Sequence, residues 1–186
     1  MTTQTDFTEL DLPESTEDSD LQSQEVSIQV EKLSERQRQI TAHIHIPQAV
    51  EKVWQILTDY ETLPDFIPSL AKSCRIDHPD GGIRLEQVGA QKLLNINFCA
   101  RVILDVEEIF PQFIKFQMVE GDFKGFKGHW QLEPYSLADN QGTNLCYMIQ
   151  VWPKLTMPIS IIERRLHKDM QVNLLAVRQR VCNLVN

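Results

Sequence analysis

The groups in this chain that could move a proton or hold a metal are its five histidines, four cysteines and 26 carboxylates, and spacing decides which could act together. His43 and His45 stand two apart, so an extended backbone projects both from one face, where two imidazoles and a third partner could ligate a metal. In the same run Ile40, Ala42, Ile44 and Ile46 occupy the alternate positions, which turns the histidine pair toward solvent. His129 beside Trp130 would serve as a general base if it shared that ring's face, but alternation points it the other way. His78 falls at a turn and His167 among helix charges. Asp59 and Asp65 occupy a proline-punctuated bend, where aspartate ordinarily caps helices and closes turns. Cys74, Cys99, Cys146 and Cys182 form no Cys-x-x-Cys pair and read as buried free thiols. There is no Gly-x-Ser-x-Gly and no His-Glu-x-x-His. The glycines of Gly121–Gly128 precede no helix, so they do not make a nucleotide fingerprint. The residues therefore predict no catalytic group, no metal site and no cofactor.

The elements that would position a site are clearer. Pro47 ends the strand Ile40–Ile46 and is suited to a helix start, since the N–H it lacks has no partner in a first turn. Val50, Val53, Trp54 and Leu57 follow at i, i+3, i+4 and i+7 and share one helical face. Pro64 and Pro68 confine Leu63, Phe66 and Ile67 to a second, shorter helical turn. Extended runs come next: 72–78 and 83–89 about the hairpin signal Pro79-Asp80-Gly81-Gly82, then 96–106, 114–119, 129–133 and 143–152. With the first strand this makes about seven, linked mostly by short turns, which predicts an antiparallel sheet. After Pro158, Ile159, Ile162, Leu166, Met170, Leu174, Val177, Val181 and Leu184 recur at steps of three and four, the stripe of one long helix. A sheet with one apolar face wrapped on that helix buries both surfaces, an α+β arrangement.

Charge divides the chain. Nine of the 26 acidic residues precede Lys32 and no Lys or Arg does, so without them the net charge of −8 becomes +1. Residues 1–34 read as an acidic tail, disordered to about residue 30, because so few apolar groups cannot offset ordering entropy. Residues 35–186 then form the folded domain. The tail resembles neither a secretory signal nor a transit peptide, and no apolar run is long enough to span a bilayer, which predicts a cytoplasmic protein. A near-neutral domain behind an acidic tail argues against nucleic acid as partner.

The strand, Pro47, Val53-Trp54 and the run Asp59-Tyr60-Glu61-Thr62-Leu63-Pro64-Asp65-Phe66 resemble the opening of the START-like superfamily, also called SRPBCC. Within it they look closest to the coenzyme-Q-binding, polyketide-cyclase-like branch. The block from Gly121 to Pro134 is similar to that branch in its spacing of glycine, phenylalanine, tryptophan and proline. The resemblance covers roughly residues 38 to 185 and implies a helix-grip fold, in which sheet and helix leave a ligand cavity between them. Phe98, Val102, Phe116, Met118, Trp130 and Leu132 from the strands, with Ile159, Ile162, Leu166 and Met170 from the helix, would line it. So apolar a lining favours an apolar ligand. The resemblance points to a lipid or quinone, bound, carried or chaperoned without catalysis.

Phe123 and Phe126 interleaved with Lys124 and Lys127 form a second candidate surface. Its rings could enter a bilayer while the ammonium groups, helped by Lys154, Arg164, Arg165 and Lys168, meet anionic headgroups. Such a protein would be peripheral to membranes at moments of transfer. Two further readings stand beside the carrier: a cyclase or aromatase that shapes a bound polyketide, which needs ionisable groups facing the cavity, and an interaction scaffold working through the acidic tail. Oligomeric state is left open.

Overall fold

The alternating run at Ile40 lies in a strand over Gln37–Ile46 (β2), preceded by an edge strand, Ser27–Ser34 (β1), in the computed structural model of the protein. The structure describes residues 26–93, 96–137 and 140–183, with the side chains of 90–93, 96–98, 137 and 140 excepted. After β2 come a helix over Val50–Thr58 (α1) and a short 3-10 turn at Leu63–Asp65. Six strands follow: Leu70–Ile76 (β3), Ile83–Leu93 (β4), Ile96–Ile109 (β5), Phe113–Gly121 (β6), Gly125–Leu137 (β7) and Asn140–Trp152 (β8). A final helix covers Ile159–Asn183 (α2). Among the described residues the eight strands form one antiparallel sheet ordered β1-β2-β8-β7-β6-β5-β4-β3. The chain thus crosses once, from β2 to the far edge at β3, and meanders back to β2.

Local chemistry explains the elements. Val50, Val53, Trp54 and Leu57 are all buried, as their spacing predicts, and so are Leu63 and Ile67 beyond the bend. Asp59 closes that bend through its carbonyl, which accepts from the Thr62 amide at 3.1 Å and the Thr62 hydroxyl at 3.0 Å. The turn from β3 to β4 uses Gly81 at φ +77°, a left-handed conformation that glycine adopts without a Cβ penalty. On β5, Val102 and Leu104 are buried on the face that carries Ala100 and Val106. On α2, Ile162, Met170, Leu174, Val177 and Val181 are buried, which is the core of the stripe.

Four expectations need correction. The sheet has eight described strands because β1, placed in the tail by its charge, pairs with β2 from Ser27↔His43 to Ser34↔Gln37. Its mostly exposed pattern is that of an edge strand, held by its hydrogen bonds to β2 and by Ile28, which packs against the core, and the domain therefore begins before residue 35. Residues 1–25 lie outside the described ones. The second short helix is the 3-10 turn at Leu63–Asp65. Gly125–Gly128, read as loop, opens β7 instead, with Gly128 opposite Ile149 on one side and Phe116 on the other. The cysteines are free but not buried: Cys99 is exposed and the others are half-buried.

The helix is anchored at one margin of the sheet. Arg38 on β2 donates to Glu163 at 2.6 Å, and Arg36 donates to the carbonyls of Lys154 and Met157 at 2.7 and 2.8 Å, which ties the approach to α2 onto the β1–β2 hairpin. The opposite margin carries its own cross-strand network on the other face. Glu86 on β4 accepts from Lys72 on β3 and from Arg101 on β5, and Arg101 reaches on to Glu120 on β6 at 2.8 Å.

Two predictions follow from this packing. A Cβ at Gly128 would stand 2.1 Å from the Met148 carbonyl oxygen and 2.6 Å from the Phe116 ring, so Gly128→Ala should cost at least about 1–3 kcal/mol, read as a lowered Tm. Hydrogen bonds from Lys72 and then Arg101 pull the Glu86 carboxyl down to about 2. Its ionised form therefore supports the fold above pH 4.5, and that support fades as pH falls toward 2. Melting curves of Glu86→Gln across this window should show a shallower acid decline than the parent.

Candidate functional site

A cavity of about 180 Å³ lies between α2 and the concave face of the sheet. It exists because α2 makes its backbone approaches to β1, β2 and α1, while the strands from β4 to β6 curve away from it. Alternation then decides which side chains face the space: Ala100, Val102, Leu104 and Val106 from β5, Ile114 and Phe116 from β6, Tyr147 and Ile149 from β8. From α2 come Ile162, Leu166 and Met170, and from the bend after α1 come Tyr60, Leu63 and Ile67.

Of the expected lining, Val102, Phe116, Trp130, Ile162, Leu166 and Met170 border the cavity. Leu132 does not; it is wholly buried against Leu145, where α1 covers β7 and β8 and leaves no gap. Met118 and Ile159 are half-buried and outside the lining, Met118 just before the register shift between β5 and β6, Ile159 in the first turn of α2. Phe98 lies in β5 with its side chain outside those described.

The rings offered above to a bilayer are turned inward. Phe123 is 8% exposed and lines the cavity with Phe126. The two stack with centroids 5.7 Å apart and continue a ring series through Phe116 at 5.8 Å, Tyr147 at 6.2 Å and Trp130 at 3.7 Å. Burial of that much aromatic surface is what holds the loop closed over the cavity. Lys124 and Lys127 are exposed, Lys124 lying 5.4 Å from the Trp152 ring centre.

The polar part of the site was missed by sequence reading. Arg165, Asp169 and Asn173 lie one turn apart along α2 and all face the cavity. The Arg165 and Asp169 side chains are 14% and 11% exposed and approach to 3.5 Å. Asn173 exchanges hydrogen bonds with Ser69 at 2.8 and 2.9 Å, closing α2 onto the start of β3. Gln87 lines the same end and donates to Ser73 at 3.2 Å. Tyr60 donates to Glu108 at 2.6 Å. A signal existed: positions 165, 169 and 173 each neighbour an apolar stripe residue, whereas the reading above groups Arg165 with Lys154, Arg164 and Lys168 as charge for anionic headgroups. Tyr147 shares the inward face of Leu145 and Ile149.

Both phenols are held neutral. Burial, and after it the charge of Asp169, pushes Tyr147 well above the usual range; burial and the bond to Glu108 do the same to Tyr60. They act as hydrogen-bonding groups rather than bases. The histidines stand elsewhere: His129 packs edge-on against Phe113 at 5.7 Å, with burial and then Lys115 lowering its basicity. His43 and His45 are exposed, and His45 bonds Asn144. Among the described residues, no cluster of three or more His, Cys, Asp or Glu could hold a metal.

Comparison with known proteins adds to this geometry. The family model described as polyketide cyclase / dehydrase and lipid transport matches residues 46–175. No curated protein matches the chain. Solved structures share the fold at low identity. A START superfamily protein from Mycobacterium smegmatis aligns with TM-score 0.65 and 17% identity over 79% of this chain and 99% of its own. The Zhui aromatase/cyclase from Streptomyces sp. R1128 gives 0.65 and 13% over 81% and 96%. A STAR-related lipid transfer protein from Xanthomonas axonopodis gives 0.61 and 15% over 83% and 98%.

The Ser69–Asn173 clasp on the cavity wall is testable. Ser69→Ala leaves the Asn173 amide, itself 8% exposed, without its partner, and should lower unfolding free energy by about 1–3 kcal/mol in a urea titration.

Proposed function

This chain belongs to the polyketide cyclase / dehydrase and lipid transport family, and from that premise we propose that it is a non-catalytic carrier that binds a lipid or quinone between its sheet and α2. The observation that carries this reading is the cavity between sheet and α2, bordered by a run of aromatic rings and by Ile162, Leu166 and Met170. An apolar chain placed there leaves water without stranding polar groups, which favours hydrophobic cargo. Exchange of that cargo takes place at a membrane surface, where the exposed Lys124 and Lys127 meet anionic headgroups. No described helix is long and apolar enough to cross a membrane, so such contact is peripheral in this proposal.

A second reading, a cyclase or aromatase acting in the same cavity, is favoured by one observation: Arg165, Asp169, Tyr60 and Tyr147 are ionisable and border the space. It ranks below the carrier because the two charges pair with each other and the phenols are held protonated, which leaves them poorly suited to take a proton.

Native mass spectrometry of the purified protein, with organic extraction of what accompanies it, tests the proposal. A lipid or quinone in stoichiometric amount is the expected result, and Leu166→Trp, which fills the cavity, should abolish it. A protein that is empty and refuses quinones, lipids and fatty acids on titration overturns the carrier; turnover of a polyketide would establish the cyclase.

A further inference from the structure

The hydrophobic-cargo reading leaves the head group unspecified, and the polar residues of α2 supply it. We infer that the cavity selects an amphiphile with a neutral, hydrogen-bonding head, a hydroxyl or carbonyl, and discriminates against the same chain ending in a carboxylate. This inference rests on the carrier reading and narrows it.

Arg165 and Asp169 are one helical turn apart, both largely removed from solvent, both on the cavity wall and 3.5 Å from each other. Their charges sum to zero, so the pair offers donors and an acceptor but no net charge to neutralise an ion. A carboxylate approaching the Arg165 guanidinium must also approach the Asp169 carboxylate. Beside two side chains so far removed from solvent that repulsion is weakly screened, and the entering ion has surrendered much of its hydration. A hydroxyl meets no such conflict: it can donate to Asp169 and accept from Arg165. A carbonyl can accept from Arg165 without disturbing the pair.

The surroundings extend the same preference. Tyr147, kept neutral by burial and by the Asp169 charge, faces the same space. Asn173 with Ser69, and Gln87, are neutral polar groups at the α2 and β3–β4 side. On the sheet, Phe116, Phe126 and Trp130 border the same cavity and offer a surface where a tail can rest. The cavity is therefore polarised: a head on α2 and a tail along the rings satisfies both walls, while the reverse pose buries the α2 groups against hydrocarbon.

The test uses the whole protein and probes of one chain length: hexadecanol, methyl palmitate and palmitate at pH 7, each displacing the neutral fluorophore N-phenyl-1-naphthylamine. We expect the alcohol and the ester to bind at least about 10-fold more tightly than the acid in the parent protein. Asp169→Asn should tighten palmitate by about 10-fold and leave hexadecanol within about 3-fold, because the acid then meets only Arg165. The parent's own ratio of ester to acid stands even if that variant does not fold. Equal affinity for ester and acid in the parent, or an unchanged ratio in a folded Asp169→Asn, overturns the head-group inference and leaves the carrier intact. If neither the fluorophore nor any of the three probes binds the parent, the carrier reading falls and the inference with it.

Discussion

One constraint governs the molecule: a single long helix has to cover the concave face of a sheet too broad for it. The 25 residues of α2 bury a stripe from Ile162 to Val181, and the sheet margin at β1 and β2 closes on that stripe through Arg36 and Arg38. The other strands cannot approach the same helix without abandoning their ladder. The space between is a consequence of element size, not of any one residue, and the aromatic rings that border it are the groups large enough to reach inward.

Seen from α2, the same constraint makes the helix serve two surroundings. The stripe that it turns to α1 and β2 meets packed side chains and is apolar, with Glu163 paired to Arg38 at its margin. Its residues facing the gap, Ile162, Leu166 and Met170 among them, border a volume that none of the described residues fills, so polar groups are tolerated there provided they find partners. Arg165 with Asp169, and Asn173 with Ser69, meet that condition. The Arg165–Asp169 ion pair contributes little to stability, since desolvation cancels much of its attraction, whereas the neutral Asn173–Ser69 pair fastens α2 to the start of β3.

Closure of the cavity near β6 and β7 rests on close backbone approach. Gly128 lets the Phe116 ring lie across β7, and the ring then joins Phe126 and Phe123 in one stack. The loop over Asp122–Lys124 is drawn in by this stack and by backbone bonds from Lys124 to Trp152 at 2.8 Å and from Asp122 to Arg101 at 3.0 Å. Family membership and the fold shared with both a lipid transfer protein and an aromatase/cyclase agree with a scaffold in which the lining, rather than the architecture, sets the ligand.

The sequence by itself determined the elements and their faces. Alternation in β2 and β5 and the three-four stripe of α2 are local patterns, because a side chain's direction on a strand or helix depends only on its own backbone period. For the same reason His129 could be placed away from Trp130, and six of the ten expected lining residues were legible. What only the tertiary structure decided was contact between elements distant in the chain. That β1 belongs to the sheet depends on hydrogen bonds to β2, which side-chain pattern does not record. That Leu132 is core while Trp130, two residues earlier on the same face, is cavity wall depends on where α1 lies. That Arg165 and Asp169 face inward, and that Phe123 turns from solvent to the ring stack, depends on how far α2 and the β6–β7 turn stand from the concave face of the sheet. Distances of that kind arise when the whole sheet curves, and no window of sequence contains them.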